Sequence, residues 1–363
     1  MEMPICILSF AELHLDAGGV PPTSPPSPCT IDCSRPPGRQ KQPPKSIPML
    51  SRRSLNIAVL CLVTISSILY IILMNNMSAV APPKHDRAEF RSNLNSWCRG
   101  FETAIASQAK MPVGTILHYD GDNTEQKVTP DIFKTLIKQQ PFSQKMFKTC
   151  AVVGNGGILK DSGCGEMIDS AQFVMRANLP PLDDTYAKDV GVRTDIVTAN
   201  PTILIKYNSL LDLESKQKFV EAVKSYGEAH IILPAFSFSF NTLVSTRAAQ
   251  TLQDFGSPAR AVFWNPEYLR NLSRFWAANG LKPRRLTTGI MLASLALELC
   301  AEVHLYGFWP FSQHPNGHTL THHYYDDIRY NSFFHDMPKE HQLLSELFEQ
   351  DLQVGDCPAV GRV

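Results

Sequence analysis

From residue 150 onward, short apolar runs alternate with longer stretches of helical period. Ala151-Val152-Val153 has the continuous apolar character of a strand buried on both faces. It breaks into Gly154-Asn155-Gly156-Gly157, a turn where the backbone can take positive φ and approach a ligand. A helix start is expected at Asp161-Ser162, then a second strand, Phe173-Val174-Met175, ending on Arg176-Ala177-Asn178. The spacing goes on to predict a strand over Thr194–Ala199 running into Asn200-Pro201, an amphipathic helix over Leu210–Tyr226, and strands over His230–Pro234 and Ala261–Trp264. Pro266–Ala278 reads as a helix with proline in its first turn. Thr287-Thr288-Gly289 opens an almost wholly apolar helix, Ile290–Cys300, which must be buried, and Val303–Gly307 is the strand after it. The alternation implies an α/β fold, a mostly parallel sheet flanked by helices on both faces. Such folds bind ligands at the carboxyl ends of their strands, which directs Asn155 and Asn178 to one crevice.

The chain before Cys150 is patterned differently. Residues 1–53 carry repeated proline pairs and read as a disordered cytosolic tail. Ile57–Met74 is an uncharged, mostly apolar run able to span a thin bilayer. Lys45 and Arg52-Arg53 precede it and the first charge after it is Lys84, so the positive-inside rule places the N-terminus in the cytosol. This predicts a type II signal-anchor over 54–75, a stem over 76–95 and one lumenal domain over 96–363. A cleaved signal peptide ending near Ala79-Val80-Ala81 is the competitor, and Met49 offers a second translation start. Helices are expected around Asn93–Gln108 and Pro130–Gln139. Asp120-Gly121-Asp122 has the D-x-D form with which many glycosyltransferases hold a divalent metal, but its turn-like setting reads as a solvated loop.

Composition changes this picture in three respects. A formal net charge of zero gives no argument for nucleic acid, and an anionic substrate has to be held by local groups. The glycine turn lacks the G-x-G-x-x-G spacing, since Leu159 stands at the last position, which disfavours a nicotinamide enzyme. Five cysteines, Cys98, Cys150, Cys164, Cys300 and Cys357, fall on the lumenal side, where four of them can form two bridges in any of three connectivities. Asn271-Leu272-Ser273 is a glycosylation sequon suited to that compartment, while Asn76-Met77-Ser78 lies too near the membrane.

Of 11 histidines, seven fall after residue 300. His314, His318 and His322 recur every four residues, as zinc ligands on a helix would, but Pro315-Asn316-Gly317 breaks any helix there. Four separated stretches then point to a family. Cys150 to Thr198 resembles the large sialyl motif of animal sialyltransferases, glycosyltransferase family 29, and Leu286 to Phe308 is similar to the small motif. His323-Tyr324-Tyr325-Asp326 matches the third motif, and His335 with Glu340 gives the H-x4-E of the last. The wording around them (GNGGILK, NLPP, YGFWPF, HHYYD) resembles the α2,8-sialyltransferase branch, from which Ala177 departs where a cysteine is usual.

The resemblance implies a Rossmann-like variant of the GT-A fold, independent of metal or other cofactor, with CMP-sialic acid as donor. It implies bridges Cys150–Cys300 and Cys164–Cys357, leaving Cys98 free or linking two chains as a homodimer. His335 is then the candidate base, with Glu340 fixing its tautomer, because a neutral imidazole can take a proton from an acceptor hydroxyl. His323 is the candidate stabiliser of the leaving CMP. Asn155, Asn178, Asn200, Thr287, Thr288, Gly289 and Trp309 are expected to bind the donor, with Thr288 also a candidate helix cap. Tyr324 and Tyr325 read as lid aromatics or as packing, and Arg284-Arg285 as an anchor for the acceptor carboxylate or as a solvated pair. The expected activity is Golgi α2,8 sialyl transfer to a sialylated glycolipid or glycoprotein. Transfer to galactose or N-acetylgalactosamine, and an inactive sialoglycan-binding protein, are the alternatives.

Overall fold

The computed structural model describes residues 56, 60–67, 87–142, 145–282, 285–329, 335–347 and 359–362, and the chain divides into two units between Ala79 and Val80. In the first, residues 60–67 are helical. The tail expected at 1–53, Met49 and most of the anchor expected at 54–75 lie outside the described residues. No described helix is long and apolar enough to cross a membrane.

The second unit opens with α1 (Arg87–Cys98) and α2 (Gly100–Thr103), a hairpin of β1 (Ile116–His118) and β2 (Glu125–Lys127), and α3 (Pro130–Thr135). There follow β3 (Phe147–Val153), α4 (Gly165–Ser170), β4 (Phe173–Arg176), α5 (Asp184–Val190), β5 (Ile196–Thr198), α6 (Pro201–Lys206), α7 (Leu213–Val223) and β6 (His230–Leu233). The chain continues through α8 (Ser239–Asp254), β7 (Arg260–Phe263), α9 (Pro266–Ala278), α10 (Thr288–Leu299), β8 (Cys300–Tyr306), α11 (Met337–Leu347) and β9 (Ala359–Arg362). The main sheet has the order β7-β6-β5-β4-β3-β8-β9, with β7 through β8 parallel and β9 antiparallel on the edge. The chain builds outward from β3 to β7 and then lays β8 on the other side of β3. That reversal is the topological switch point, and it opens a crevice beyond the carboxyl ends of β3 and β8.

Strand alternation sorts the core into two layers. Cys150, Val152, Met175, Val303 and Leu305 face α1, α9 and α10, whereas Ala151, Val153, Val174, Val197 and Tyr306 face α7 and α8. All residues of α10 from Ile290 to Leu299 are buried, as its unbroken apolar sequence requires. Trp276 Nε1 on α9 donates to Ser294 Oγ on α10 at 2.9 Å, satisfying two polar groups in that layer.

Cys150 and Cys300 form the expected disulfide. Cys164 is buried and disulfide-bonded, and its expected partner Cys357 lies outside the described residues. Cys98 is a free thiol only 2% exposed within the core. Its burial corrects the homodimer link expected through it.

Several boundaries also move. Phe90 and Leu94 are core residues, so the compact unit begins by Arg87 and not at 96. The helix expected over Asn93–Gln108 is divided at Arg99, which is left-handed. No helix starts at Asp161-Ser162, because Asp161 and Gly163 have φ of 60° and 66° and α4 begins only after Cys164. Ser209 and Leu210 are likewise left-handed, and α7 starts at Leu213 behind an Asp212–Ser215 capping box. Asn271 is half-buried in the middle of α9.

Candidate functional site

The crevice beyond β3 and β8 gathers the residues singled out from the sequence. Asn155, Asn178, Asn200, Thr287, Thr288, Gly289, Trp309, His323 and His335 all line one cavity of about 220 Å³, together with Glu340. A larger hollow of about 570 Å³ lies beside Lys134 and Arg260. Its lining holds no histidine and no helix N-terminus, so the crevice at the switch point is the candidate site.

Its floor is the glycine turn after β3. None of Gly154, Gly156 and Gly157 has positive φ, contrary to expectation. Their requirement is steric, because a Cβ on Gly156 would lie 2.5 Å from Gly307 O and one on Gly157 2.3 Å from Thr321 O. The close approach lets the 321–324 segment lie on the turn, where His323 bridges Gly156 and Tyr324 N donates to Asn155 O at 3.0 Å. Asn155 Nδ2 donates to Ala177 O at 2.8 Å, and its Oδ1 is buried without a partner among the described residues. Asn178 stands at φ 63° after β4, and its N–H donates to Thr198 Oγ1 at 2.9 Å. Asn200 is the N-cap residue of α6, and its Oδ1 accepts from Thr288 Oγ1 at 3.4 Å.

The N-terminus of α10 forms one wall. Thr287, not Thr288, is its N-cap, accepting from Ile290 N at 3.1 Å. Among the described residues the N–H groups of Thr288 and Gly289 have no partner, so they are available to an anion. Glu340 accepts the Thr287 N–H at 2.9 Å and the Thr287 hydroxyl. This corrects the role expected for Glu340: it bonds the helix start, not His335. Burial pushes its carboxyl up to about 7 despite those hydrogen bonds.

His335 instead hydrogen-bonds Arg285 O through Nδ1 at 3.1 Å. A carbonyl can only accept, so Nδ1 carries the proton and the lone pair resides on Nε2. His323 Nδ1 lies 2.5 Å from Asp326 Oδ2, and Tyr325 stacks on the His323 ring with centroids 5.0 Å apart. Burial would raise the Asp326 carboxyl, but its bonds to His323 hold it below the usual range. Tyr324 is a packing residue, 2% exposed, whose hydroxyl donates to Pro181 O at 2.8 Å. Trp309 Nε1 donates to Gln313 O at 2.8 Å.

His341, which sequence reasoning passed over, also lines the cavity and hydrogen-bonds Phe308 O through Nδ1 at 2.9 Å. Burial lowers its pKa, against the Phe308 contact. The signal was present in the period of α11: Met337, Glu340, His341 and Leu344 stand at i, i+3, i+4 and i+7, and all four line the cavity. His314 and His318 stack on each other at 4.5 Å. Among the described residues, no group of three or more His, Cys, Asp or Glu side chains is arranged to hold a metal ion.

The two aspartates of the D-x-D stretch prove different. Asp122 Oδ2 accepts the Ser239 N–H at 2.8 Å, at the start of α8. Asp120 is not solvated: burial pushes its carboxyl up to about 6 even with Arg285 nearby. Arg285 is not a solvated charge either, since its guanidinium lies 4.7 Å over the Phe238 ring. Arg284 lies outside the described residues.

Residues 102–352 match the model of glycosyltransferase family 29 (sialyltransferase). The chain is 43% identical over 253 residues to alpha-2,8-sialyltransferase 8E of Homo sapiens, covering 69% of this chain and 67% of that protein. It is also 43% identical over 252 residues to the alpha-N-acetylneuraminide alpha-2,8-sialyltransferase of Bos taurus, covering 69% and 70%. The crystal structure of a mammalian sialyltransferase in complex with Gal-beta-1-3GalNAc-ortho-nitrophenol aligns over 74% of this chain and 79% of that one, at 21% identity and a TM-score of 0.38.

Proposed function

The chain belongs to glycosyltransferase family 29, and on that premise we propose that it transfers sialic acid from CMP-sialic acid to the 8-hydroxyl of a terminal sialic acid, with inversion. The names of its relatives support the linkage. The observation that carries the mechanism is the tautomer of His335, with Nδ1–H on Arg285 O and the Nε2 lone pair left for the acceptor. The acceptor oxygen bonds to C2 of the sialyl group while the bond from C2 to the phosphate oxygen breaks. The hydroxyl proton passes to His335 Nε2, and the electron pair leaves with CMP.

Nδ1 of His323 is occupied by Asp326, so donation to the leaving phosphate falls to Nε2. The Thr288 and Gly289 N–H groups and the orphaned Asn155 Oδ1 supply a donor site with both hydrogen-bond senses, and Trp309 and Asn178 complete its walls. The proton that leaves the acceptor and the charge that grows on the departing phosphate are each given a protein group, and the scheme calls on no metal. The uncharged run at 57–74 after Arg52-Arg53 supports a type II orientation in the Golgi membrane, with glycosylation at Asn271 and a Cys164–Cys357 bridge on the lumenal side.

Incubation with CMP-sialic acid and a sialylated glycan should release CMP and add a residue that an α2,8-cleaving sialidase removes. Transfer confined to desialylated acceptors would replace this reading with transfer to galactose. No CMP release from folded protein with any acceptor would leave a sialoglycan-binding module.

A further inference from the structure

We propose that Arg285 selects the acceptor, its guanidinium binding the carboxylate of the acceptor sialic acid while its backbone carbonyl holds the base; this rests on the reading above and deepens it. Arg285 is half-buried, stacked on Phe238, and among the described residues its guanidinium makes no hydrogen bond and no ion pair. Five N–H donors in a partly desolvated place, without an acceptor, form a group that gains by receiving an anion. Phe238 shields one face and fixes the plane of the fork, so little side-chain freedom is lost when a carboxylate meets its edge.

The surroundings are balanced in charge but unfilled. Asp120 is the anion that acts on Arg285, yet its Oδ1 is buried without a hydrogen-bond partner among the described residues. The Ser237 hydroxyl lies near enough to favour the Asp120 carboxylate, though its Oγ meets no described residue in hydrogen-bond geometry. The pair therefore holds a positive charge in place without consuming its donors. An incoming carboxylate takes those donors, and partial protonation of Asp120, already pushed up by burial, relieves the repulsion.

The link to the chemistry is covalent. His335 Nδ1 rests on the carbonyl of this same residue, at 3.1 Å. Arg285 does not itself line the donor cavity, so one backbone unit joins the base at its edge to a cation outside it, where the acceptor's carboxylate would lie. A sialic acid presents both groups; a galactose presents no anion. With the whole chain at zero net charge, discrimination between the two has to come from such a local group.

The test crosses enzyme and acceptor. Wild type, Arg285→Ala and Arg285→Lys are assayed on a sialylated acceptor and on the same acceptor with its carboxylate converted to the carboxamide. Wild type should lose roughly 100-fold in kcat/KM toward the carboxamide, the expected scale for removing one partner of a close charge pair. Arg285→Ala should be as slow on the carboxylate as wild type is on the carboxamide, and indifferent between them, with the loss in acceptor KM and the donor KM unchanged. Arg285→Lys keeps the charge but not the fork and should fall between; it also serves if the alanine variant does not fold. A variant that keeps the wild-type preference for carboxylate overturns the role of Arg285 and leaves the transfer reaction intact. Failure of wild type on every sialylated acceptor removes the reaction and this role with it.

Discussion

At the N-terminal end of α10 the Glu340 carboxylate accepts the Thr287 N–H at 2.9 Å, and near the other end Glu298 accepts the Gly100 N–H at 2.6 Å and the Tyr268 hydroxyl at 3.0 Å. The two acids are 4% and 5% exposed, and burial pushes both up to about 7. By pKa alone they are indistinguishable. What separates them is what lies beyond their hydrogen bonds. Glu298 is closed in by α2 and α9, so tightly that a Cβ on Gly100 would lie 2.7 Å from its Oε2. Glu340 borders a cavity onto which four histidines open, with N–H groups that have no partner among the described residues. A perturbed carboxylate marks a site only where a concavity and free donors accompany it. One end of the helix is a structural clamp, and the other is prepared for a ligand.

The clamped end should show the largest loss of stability. The Cys150–Cys300 bridge spans a sequence separation of 150, and Cys300→Ser should cost about 5 kcal/mol in the chain-entropy model, read as a fall in the denaturant midpoint. A loss below about 1 kcal/mol would mean the bridge does not clamp this end. At the open end, His335→Ala should cut transfer roughly 100- to 10,000-fold while CMP still binds; turnover near wild type would remove His335 as base.

Substitution of the two acids tests the contrast directly. Glu298→Ala should cost roughly 2–3 kcal/mol by leaving the Gly100 and Tyr268 donors unpaired, with little change in turnover per folded molecule. Glu340→Ala should lower stability by a similar amount and also raise the donor KM, because it releases the helix start that faces the phosphate. Equal donor KM values in the two variants would erase the distinction.

The most gradual effect, spread over more than two pH units, is the pH dependence. Both acids titrate near 7 in the folded chain against an ordinary 4.5, so between those values the folded state holds protons that the unfolded state has lost. Stability therefore declines as pH rises through that window, by at most about 1.4 kcal/mol per pH unit for each group. Glu298→Gln should flatten the decline in urea midpoints measured across it; an unchanged slope would assign the dependence elsewhere.

Much of this was legible before folding was considered. Pro266–Ala278 reads residue for residue as the observed helix, because proline at its first turn and an amphipathic period are local signals. The wall of the cavity was legible from Thr287-Thr288-Gly289, and its floor from the glycine turn, although the glycines answer to packing and not to φ. The hairpin β1–β2 was not, since its strands are three residues each and mostly exposed. His341 stood one residue past a recognised motif, and only the face it shares with Glu340 brings it to the cavity.

The order of strands and helices, the crevice and most of its residues follow from the sequence, because burial on both faces writes itself as apolar runs and ligand sites follow strand ends. The tertiary structure decided which nitrogen of His335 is bare, which acid supports the helix and which arginine keeps open donors among the described residues. Those properties depend on backbone carbonyls and ring faces contributed by residues far apart in the chain, such as the Arg285 carbonyl beneath His335, and no pattern of side chains along a sequence records where such atoms will meet.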